Sequence, residues 1–348
     1  MSAKGHDSGD AAPKGLVLRS GPHLASGMDT PTLMRDVIIA LLPLVVAAGY
    51  HFGAPALLVL LTATVGSMLT EWLFRRGEGT LLDFSALLTG LILGLTLPPA
   101  LPLWMALVGA LAAVGLGKLA FGGLGFNLFN PALVGRAFLQ AAFPTALTTW
   151  RPAGRPFFEI PASTFAPPLL SVRAPDALTT ATPLSRMKFD HKATDLSSLM
   201  WGSVAGSLGE TSGLLIIIGG LFLAARRAFD VRIPIAILLS VAALSGAFYL
   251  AGPDKYPDPL FMLSSGGLLF GAVYMATDPV TSPLAPRGAW IFGAGIGVLV
   301  VLIRLFGGLP EGVMYAILLM NAASPLIERV SQPRPFGRAR EGKKDAAS

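Results

Sequence analysis

The chain has 348 residues, of which 53% are hydrophobic and only 13% are charged, and its formal net charge is +6. Soluble domains carry about 25% charged residues, so this composition predicts a polytopic membrane protein. The absence of cysteine excludes Cys-ligated zinc and Cys-ligated iron–sulfur clusters, no metal site is predicted, and basic residues that flank apolar segments disfavour nucleic-acid binding.

Residues 1–30 are polar and lack the apolar core of a secretory signal, which predicts a disordered cytoplasmic tail. About ten apolar segments follow, and each approaches the roughly 20 residues that a membrane crossing needs. We therefore expect an all-α polytopic membrane protein with five spans in residues 31–144 and five in residues 212–328. The predicted spans are 35–53, 55–74, 81–98, 102–121, 128–144, 212–226, 232–251, 261–277, 288–306 and 310–328.

Basic residues predict the orientation of these spans. With the N-terminus on the cytoplasmic side, the basic residues beside the spans all fall on that side, as the positive-inside rule requires. These residues are Lys4, Lys14, Arg19, Arg75, Arg76, Arg226, Arg227, Arg232, Arg287 and Arg329. Lys118, at the inner end of the fourth span, is expected to snorkel to the same surface. The same count makes residues 145–211 an external loop and residues 329–348 a basic cytoplasmic tail.

A weak internal repeat divides the chain into two related halves. Residues 90–98 resemble residues 271–279, and the Phe-Gly-Gly-Leu of residues 121–124 recurs at residues 306–309. Because each half holds an odd number of spans, the halves would cross the membrane in opposite directions, as in many transporters. The prediction is two inverted five-helix repeats, and chance similarity between Gly-rich apolar stretches is the alternative.

Two polar turns lead into predicted spans. Asn130 followed by Pro131 is typical of a helix start, because Asn caps free amides and Pro fits the first turn. If the helix after it is half of a discontinuous span, its positive end lies near a ligand, with Arg136 about two turns away. Glu210 opens the sixth span, either as part of a cap or as part of a polar rim on the outer side. For Asn130, an ordinary capped transition from loop to helix is the alternative.

Ionisable residues inside apolar spans are candidates for an ion path. Glu71 lies within the second predicted span and is the best single candidate. Asp278 stands where the eighth span ends, so it either lies on the ion path or caps the next segment. Asp36, Asp83 and His51 also lie in or near spans, but Asp36 and Asp83 fall at predicted ends, where solvation is cheap.

The external loop contains a motif with a specific chemical meaning. The pattern formed by Asp176, Thr179, Ala181 and Thr182, closed by Pro183, resembles the signal at which a flavin transferase links FMN to a threonine through its phosphate. Taken alone, such a short motif is also consistent with a solvated loop threonine.

With this motif in place, the chain as a whole resembles a known family. It is similar to the NqrB/RnfD family, which includes the D subunit of the Rnf complex, an ion-translocating ferredoxin:NAD oxidoreductase, and the B subunit of the sodium-translocating NADH:quinone reductase. The short N-terminal tail favours the Rnf protein. The segments that carry the resemblance are residues 20–23, 34–43, 127–136, 176–184, 206–212 and 277–283.

This resemblance implies a function in electron transport. It implies FMN joined covalently through its phosphate to Thr182, with Asp176 as a recognition element for the transferase, and a second, non-covalent flavin, riboflavin, within the helix bundle. It further implies a place among other Rnf-type subunits in the bacterial inner membrane. Partner subunits would handle ferredoxin and NAD, and electron transfer would be coupled to Na⁺ or H⁺ movement. On this interpretation the chain is one electron-carrying component and not a complete enzyme.

The chain departs from the family pattern at one point, and two other functions stay open. Thr179 and Thr180 stand where the family has a smaller pair, and they add rival hydroxyl groups beside Thr182. The alternatives are the B subunit of the quinone reductase, or a transporter or channel of similar fold without redox function.

Overall fold

A computed structural model describes residues 29–75, 80–168, 180–192, 194–210, 212–253 and 255–332. Most of the two predicted tails, and the loop residues 169–179, lie outside this range. Within it the secondary structure is helical and no strand occurs. The helices are α1 (Thr30–Phe52), α2 (Ala54–Phe74), α3 (Ser85–Leu95), α4 (Leu103–Leu111), α5 (Pro131–Ala142), α6 (Pro144–Leu147), α7 (Pro183–Asp190), α8 (Leu196–Trp201), α9 (Gly213–Ala225), α10 (Arg232–Ala251), α11 (Pro259–Ser264), α12 (Leu268–Phe270), α13 (Pro286–Phe306) and α14 (Val313–Ser331).

Six of the described helices are long and apolar enough to cross a membrane, which confirms a multi-pass protein. They are α1, α2, α10, α13, α14 and the combined helix Leu103–Phe121, in which α4 continues through a π-helical turn and a short 3₁₀ turn. Each corresponds to one of the ten spans predicted from the sequence.

The other four predicted spans contain shorter helices. α3, α5 and α9 have 11, 12 and 13 residues, or about 16 to 20 Å of helix against a hydrocarbon core of about 30 Å. α3 begins at Ser85 because Asp83 accepts a 2.8 Å hydrogen bond from the Ser85 amide. The eighth span is broken between α11 and α12 and resumes as a π-helical turn, Gly271–Met275. Polar and non-helical backbone therefore reaches into the bundle at several points.

The break between α11 and α12 is held by two charged residues from later in the chain. Arg304 is 4% exposed and donates to the carbonyl oxygens of Met262 and Ser265, at 2.7 and 3.0 Å. Glu311 accepts from the amide of Gly267 at 3.1 Å. These bonds satisfy backbone groups that a broken helix leaves without partners, which is how non-helical backbone is tolerated at membrane depth.

Small residues allow close helix packing in the bundle. α10 and α13 pack along their lengths, and a Cβ built on Gly293 or Gly297 would lie 2.6 or 2.7 Å from the carbonyl oxygens of Ile233 or Ile237. Only glycine allows the two backbones to come this near, as is common between membrane helices.

The described part of the loop of residues 145–211, which the sequence predicts to be external, packs at one end of the bundle. The amide of Ala54 donates to the carbonyl of Phe157, and that of Gly154 to the carbonyl of His51, at 2.8 and 2.9 Å. Both contacts lie where α1 ends and α2 begins. The opposite end of α1 carries Asp36, which pairs with Arg226 at the end of α9. The loop and this ion pair are therefore separated by the length of α1.

Candidate functional site

Thr182 is the N-cap of α7. Its Oγ1 accepts a 3.2 Å hydrogen bond from the Ser185 amide and lies 2.9 Å from the Ser185 hydroxyl oxygen. Pro183 occupies the first turn of the helix, where its missing N–H costs nothing. A negative group attached to Thr182 would thus lie at the positive end of an eight-residue helix, a favourable place for a phosphate.

A cavity of about 540 Å³ opens beside Thr182, which is half-buried in its wall. This volume is typical of pockets that enclose a small organic ligand. Its wall joins the external loop, α5 and the start of α14. The lining residues include Arg136, Trp150, Thr180, Ala181, Thr182, Pro183, Glu210, Glu311 and Tyr315.

The described threonines of the motif differ in the contacts of their hydroxyl groups. Thr180 and Thr182 are both half-buried, and Ala181 between them is exposed. The Thr180 hydroxyl oxygen is buried and has no hydrogen-bond partner among the described residues, whereas the Thr182 hydroxyl contacts Ser185 at the start of α7. Asp176 and Thr179, also named from the sequence, lie outside the described residues.

Arg136 places a buried cation in the cavity wall. The residue is 8% exposed, and its Nη1 donates to no acceptor in the part of the chain that the structure describes. An arginine nitrogen buried without a partner is costly, so this one is suited to an acceptor on a bound ligand. It lies on α5 after the Asn130 cap, whose Oδ1 accepts from the Ala132 and Leu133 amides at 3.0 and 3.3 Å. The predicted helix start is confirmed.

Two carboxylates complete the polar side of the cavity. Glu210 lies on the connection ahead of α9, and Glu311 lies just ahead of α14. Glu311 pairs with Arg304 at 3.3 Å. Burial, together with the nearby charge of Glu311, raises the pKa of the Glu210 carboxyl, and the Arg136 charge acts in the opposite direction. The sequence pointed to Glu210 but missed Arg304 and Glu311, whose contacts join segments distant in the chain.

The cavity wall is chemically suited to the flavin expected from the sequence. Trp150 and Tyr315 offer aromatic surface for a planar ring, and Arg136 offers an unused donor. Thr182 offers a hydroxyl at a helix N-terminus. These residues fit a ligand with a flat conjugated ring and a phosphate.

Glu71 lies far from this cavity along the bundle and is bound to a lysine. Lys118 Nζ donates to Oε1 and Oε2 of Glu71, both at 2.8 Å, and also to the Ser85 hydroxyl. Lys118 is 2% exposed, so the prediction that it snorkels to the membrane surface is wrong. The reason is that Glu71 on α2 and Ser85 on α3 supply acceptors for the ammonium group inside the bundle.

Asp278 acts as a cap on the connection ahead of α13. Its Oδ1 accepts from the Val280 amide at 3.2 Å, and its Oδ2 lies 3.3 Å from the Thr281 hydroxyl. Burial raises its pKa to about 6. It also lines a smaller cavity of about 80 Å³ that includes Lys118. The capping alternative is thus present in the structure, and Glu71 and Asp278 lie on the same side of the molecule.

Comparison with known proteins places these features in a family context. The sequence profile described as "NQR2, RnfD, RnfE family" matches residues 17–337. The chain is 38% identical to the D subunit of the proton-translocating ferredoxin:NAD(+) oxidoreductase complex of Clostridium ljungdahlii, over 93% of this chain and 97% of that protein. It is 42% identical to the D subunit of the ion-translocating oxidoreductase complex of Stutzerimonas stutzeri, over 89% and 93%. For the D subunit of the Na(+)-translocating ferredoxin:NAD(+) oxidoreductase complex of Acetobacterium woodii, identity is 39% over 92% and 95%.

Proposed function

This chain belongs to the NQR2, RnfD, RnfE family, and we propose that it is the membrane-embedded D subunit of an ion-translocating ferredoxin:NAD oxidoreductase complex, carrying electrons through covalently bound FMN. The relatives named above support this assignment, because each is the D subunit of its complex and is matched over at least 93% of its own length. Ferredoxin and NAD are bound by partner subunits, since the sequence offers no cluster ligands and no dinucleotide fingerprint.

One observation carries the flavin part of the proposal. Thr182, the expected attachment residue, presents its hydroxyl at the N-terminus of α7 and in the wall of a cavity large enough for a ring system. FMN bound there supplies one- and two-electron chemistry. Thr182 holds the phosphate, the first amides of α7 stabilise its charge, and Arg136 provides a donor for the ring. A phosphoester link also prevents the cofactor from diffusing away.

The two-repeat architecture belongs to the same proposal. The first helices of the two halves, α1 and α9, pack on each other, and so do the last, α5 and α14. In each half a basic residue late in the fourth helix reaches back to the third: Lys118 binds Ser85, and Arg304 binds the break after α11. These relationships support two inverted five-helix repeats, with four of the ten segments too short to cross fully.

We orient the protein with its N-terminus in the cytoplasm, in the bacterial inner membrane. Arg75, Arg226 and Arg329 end α2, α9 and α14, and placing these basic ends inside follows the positive-inside rule. The external loop and Thr182 then face outward. Glu71 and Asp278 remain our candidates for a path of Na⁺ or H⁺ from the inner side. Riboflavin remains an expected second flavin, and the inner cavity of about 80 Å³ is too small to hold it in this conformation.

The proposal is tested by measuring covalently bound flavin on the full chain, produced together with the flavin transferase. The wild type and Thr180→Ala should fluoresce on a denaturing gel and gain the mass of one FMN less water, whereas Thr182→Ala should do neither. Thr180→Ala is the matched control, because it removes a hydroxyl from the same motif. Fluorescence of Thr182→Ala equal to that of the wild type rules out the attachment site, and a wild type without flavin favours a transporter without redox function.

A further inference from the structure

Two carboxylates approach each other at the inner wall of the large cavity. Both lie beside Gly267, at the break ahead of α12: a Cβ built on Gly267 would lie 2.9 Å from Glu210 Oε1, and the Gly267 amide donates to Glu311 Oε2 at 3.1 Å. Two negative charges that share a partly enclosed wall repel each other. The pair is therefore stabilised when one member carries a proton.

The donors around Glu311 hold its carboxylate in place. Its Oε1 pairs with Arg304 at 3.3 Å and lies 3.2 and 3.4 Å from the amides of Gly312 and Val313, which donate to it. Together with the Gly267 amide, four groups therefore donate hydrogen bonds to the Glu311 carboxylate. Glu311 is therefore already engaged as an acceptor by groups of the protein itself.

Glu210 is the member suited to hold the proton. Loss of solvent and, next, the charge of Glu311 raise the pKa of Glu210, and they prevail over the Arg136 charge and the hydrogen bonds of Ser207, which lower it. Glu210 Oε2 lies near Gly206, since a Cβ built on that glycine would be 3.5 Å from this oxygen. The charged groups that face Glu210 are thus Arg136, Glu311 and, behind Glu311, Arg304.

Glu210 also stands between two spaces. It lines the large cavity, and it lines a small void of about 20 Å³ that reaches Thr96 and Met275 deeper in the bundle. A void of this size holds one water molecule when polar groups surround it. The Glu210 carboxyl group therefore borders the large cavity proposed to hold the flavin and also borders a void that has room for one water molecule.

From this geometry we infer that Glu210 is the proton-relay residue of the cavity and gives its carboxyl proton to the flavin when an electron arrives there. The inference rests on the proposed function. The Glu210 O–H bond would break and its proton would pass to a ring nitrogen of the bound flavin, with the electron supplied by the ferredoxin-linked partner subunits. The Glu210 carboxylate would then take a proton from a water molecule, and the hydroxide left behind would be neutralised in bulk solvent. One electron and one proton are thus transferred together, and Glu210 ends as it began.

The experiment follows proton arrival separately from electron arrival. Full-length protein with attached FMN is mixed rapidly with dithionite, and the flavin absorbance is recorded. Gaining an electron and gaining a proton change the flavin spectrum in different ways, so the two events can be followed separately. Glu210→Gln should slow the protonation step at least tenfold and leave FMN content unchanged. Small weak acids such as formate or acetate should restore the rate in proportion to their concentration, and Glu210→Asp should retain part of it. Glu159→Gln, a carboxylate 41% exposed elsewhere on the loop, is the matched control.

The outcomes separate the two claims. If Glu210→Gln protonates the flavin at the wild-type rate, the relay is overturned. The relay is also overturned if Glu210→Gln is slow, small acids do not restore its rate, and Glu210→Asp is equally slow, because that pattern reflects a structural role. In both cases covalent FMN in the sample leaves the proposed function standing. Wild-type protein without covalent FMN overturns the relay and the proposed function together.

Discussion

Lys118 and Glu71 form a buried ion pair in which Nζ lies 2.8 Å from both carboxylate oxygens. The two side chains are 2% and 1% exposed. The pair joins the end of the combined helix Leu103–Phe121 to the end of α2, and Ser85 extends it to the start of α3. A cation that used Glu71 as a ligand would have to displace Lys118. The pair therefore stabilises the packing of these helices and also blocks the proposed ion path.

Removing one member of this pair should destabilise the protein strongly. Lys118→Met leaves a buried carboxylate without its cation, which costs about 3–5 kcal/mol. The double variant Lys118→Met with Glu71→Gln should lose less than the sum of the single changes. Unfolding in detergent measures these losses. The exposed pair between Arg232 and Asp230 is the control, since Arg232→Met should cost no more than about 1 kcal/mol. Equal losses at the two sites would contradict the assigned role of Lys118.

Arg136 should set the reduction potential of the bound flavin. Arg136→Gln removes a buried positive charge beside the ring, so reduction, which adds negative charge, becomes less favourable and the midpoint potential falls. A change of about 1.4 kcal/mol corresponds to roughly 30 mV for a two-electron couple. Spectroelectrochemical titration checks this shift, with Arg155→Gln on the exposed loop as the control. An unchanged potential with full FMN content would place the ring away from Arg136.

The pH dependence of the protein's stability should reveal the raised pKa of the Glu210 carboxyl. A carboxyl whose pKa is raised on folding contributes stability that is fully present below its unfolded value of about 4.5 and is lost as pH rises through the folded pKa. In the flavin-free Thr182→Ala background, the melting temperature should therefore fall less steeply above pH 4.5 when Glu210 is replaced by Gln. Parallel curves for the two proteins would show that Glu210 carries no raised pKa.

Asn321 should be important for joining the two halves. It is fully buried, its Oδ1 accepts from the Asn130 amide, and its Nδ2 donates to the Thr281 carbonyl, both at 3.3 Å. Asn321→Ala leaves buried backbone groups without partners, at about 1–3 kcal/mol each. Asn127→Ala is the comparison, because Asn127 makes one local bond, to the Phe129 carbonyl. Urea unfolding in detergent should show the larger loss for Asn321→Ala.

Local sequence signals predicted local structure well. The Asn130-Pro131 pair predicted a helix start, and α5 begins there with Asn130 as its cap. Thr182-Pro183 carries the same signature of a capping residue before proline, and α7 begins at Pro183, so this turn is a helix start as well as a chemical motif. Hydrophobic length located all six long helices, because crossing a bilayer imposes that length.

Contacts between distant segments were not predictable in the same way. Lys118 was expected at the membrane surface, but its partner Glu71 lies 47 residues away in the chain. Glu311 shares the wall with Glu210 only because α11 and α12 separate at Gly267. Apolar composition alone does not reveal where a helix breaks, since buried charges supply the missing backbone partners. These residues therefore required the folded chain.

The most direct test of the account is to locate the flavin on the tryptic peptide that spans residues 174–186. Tandem mass spectrometry of protein made with the transferase should place one FMN, joined through its phosphate, on Thr182, with Thr180 and Ser185 unmodified. An FMN adduct on any other residue of this peptide, or a peptide without FMN, would contradict the central claim.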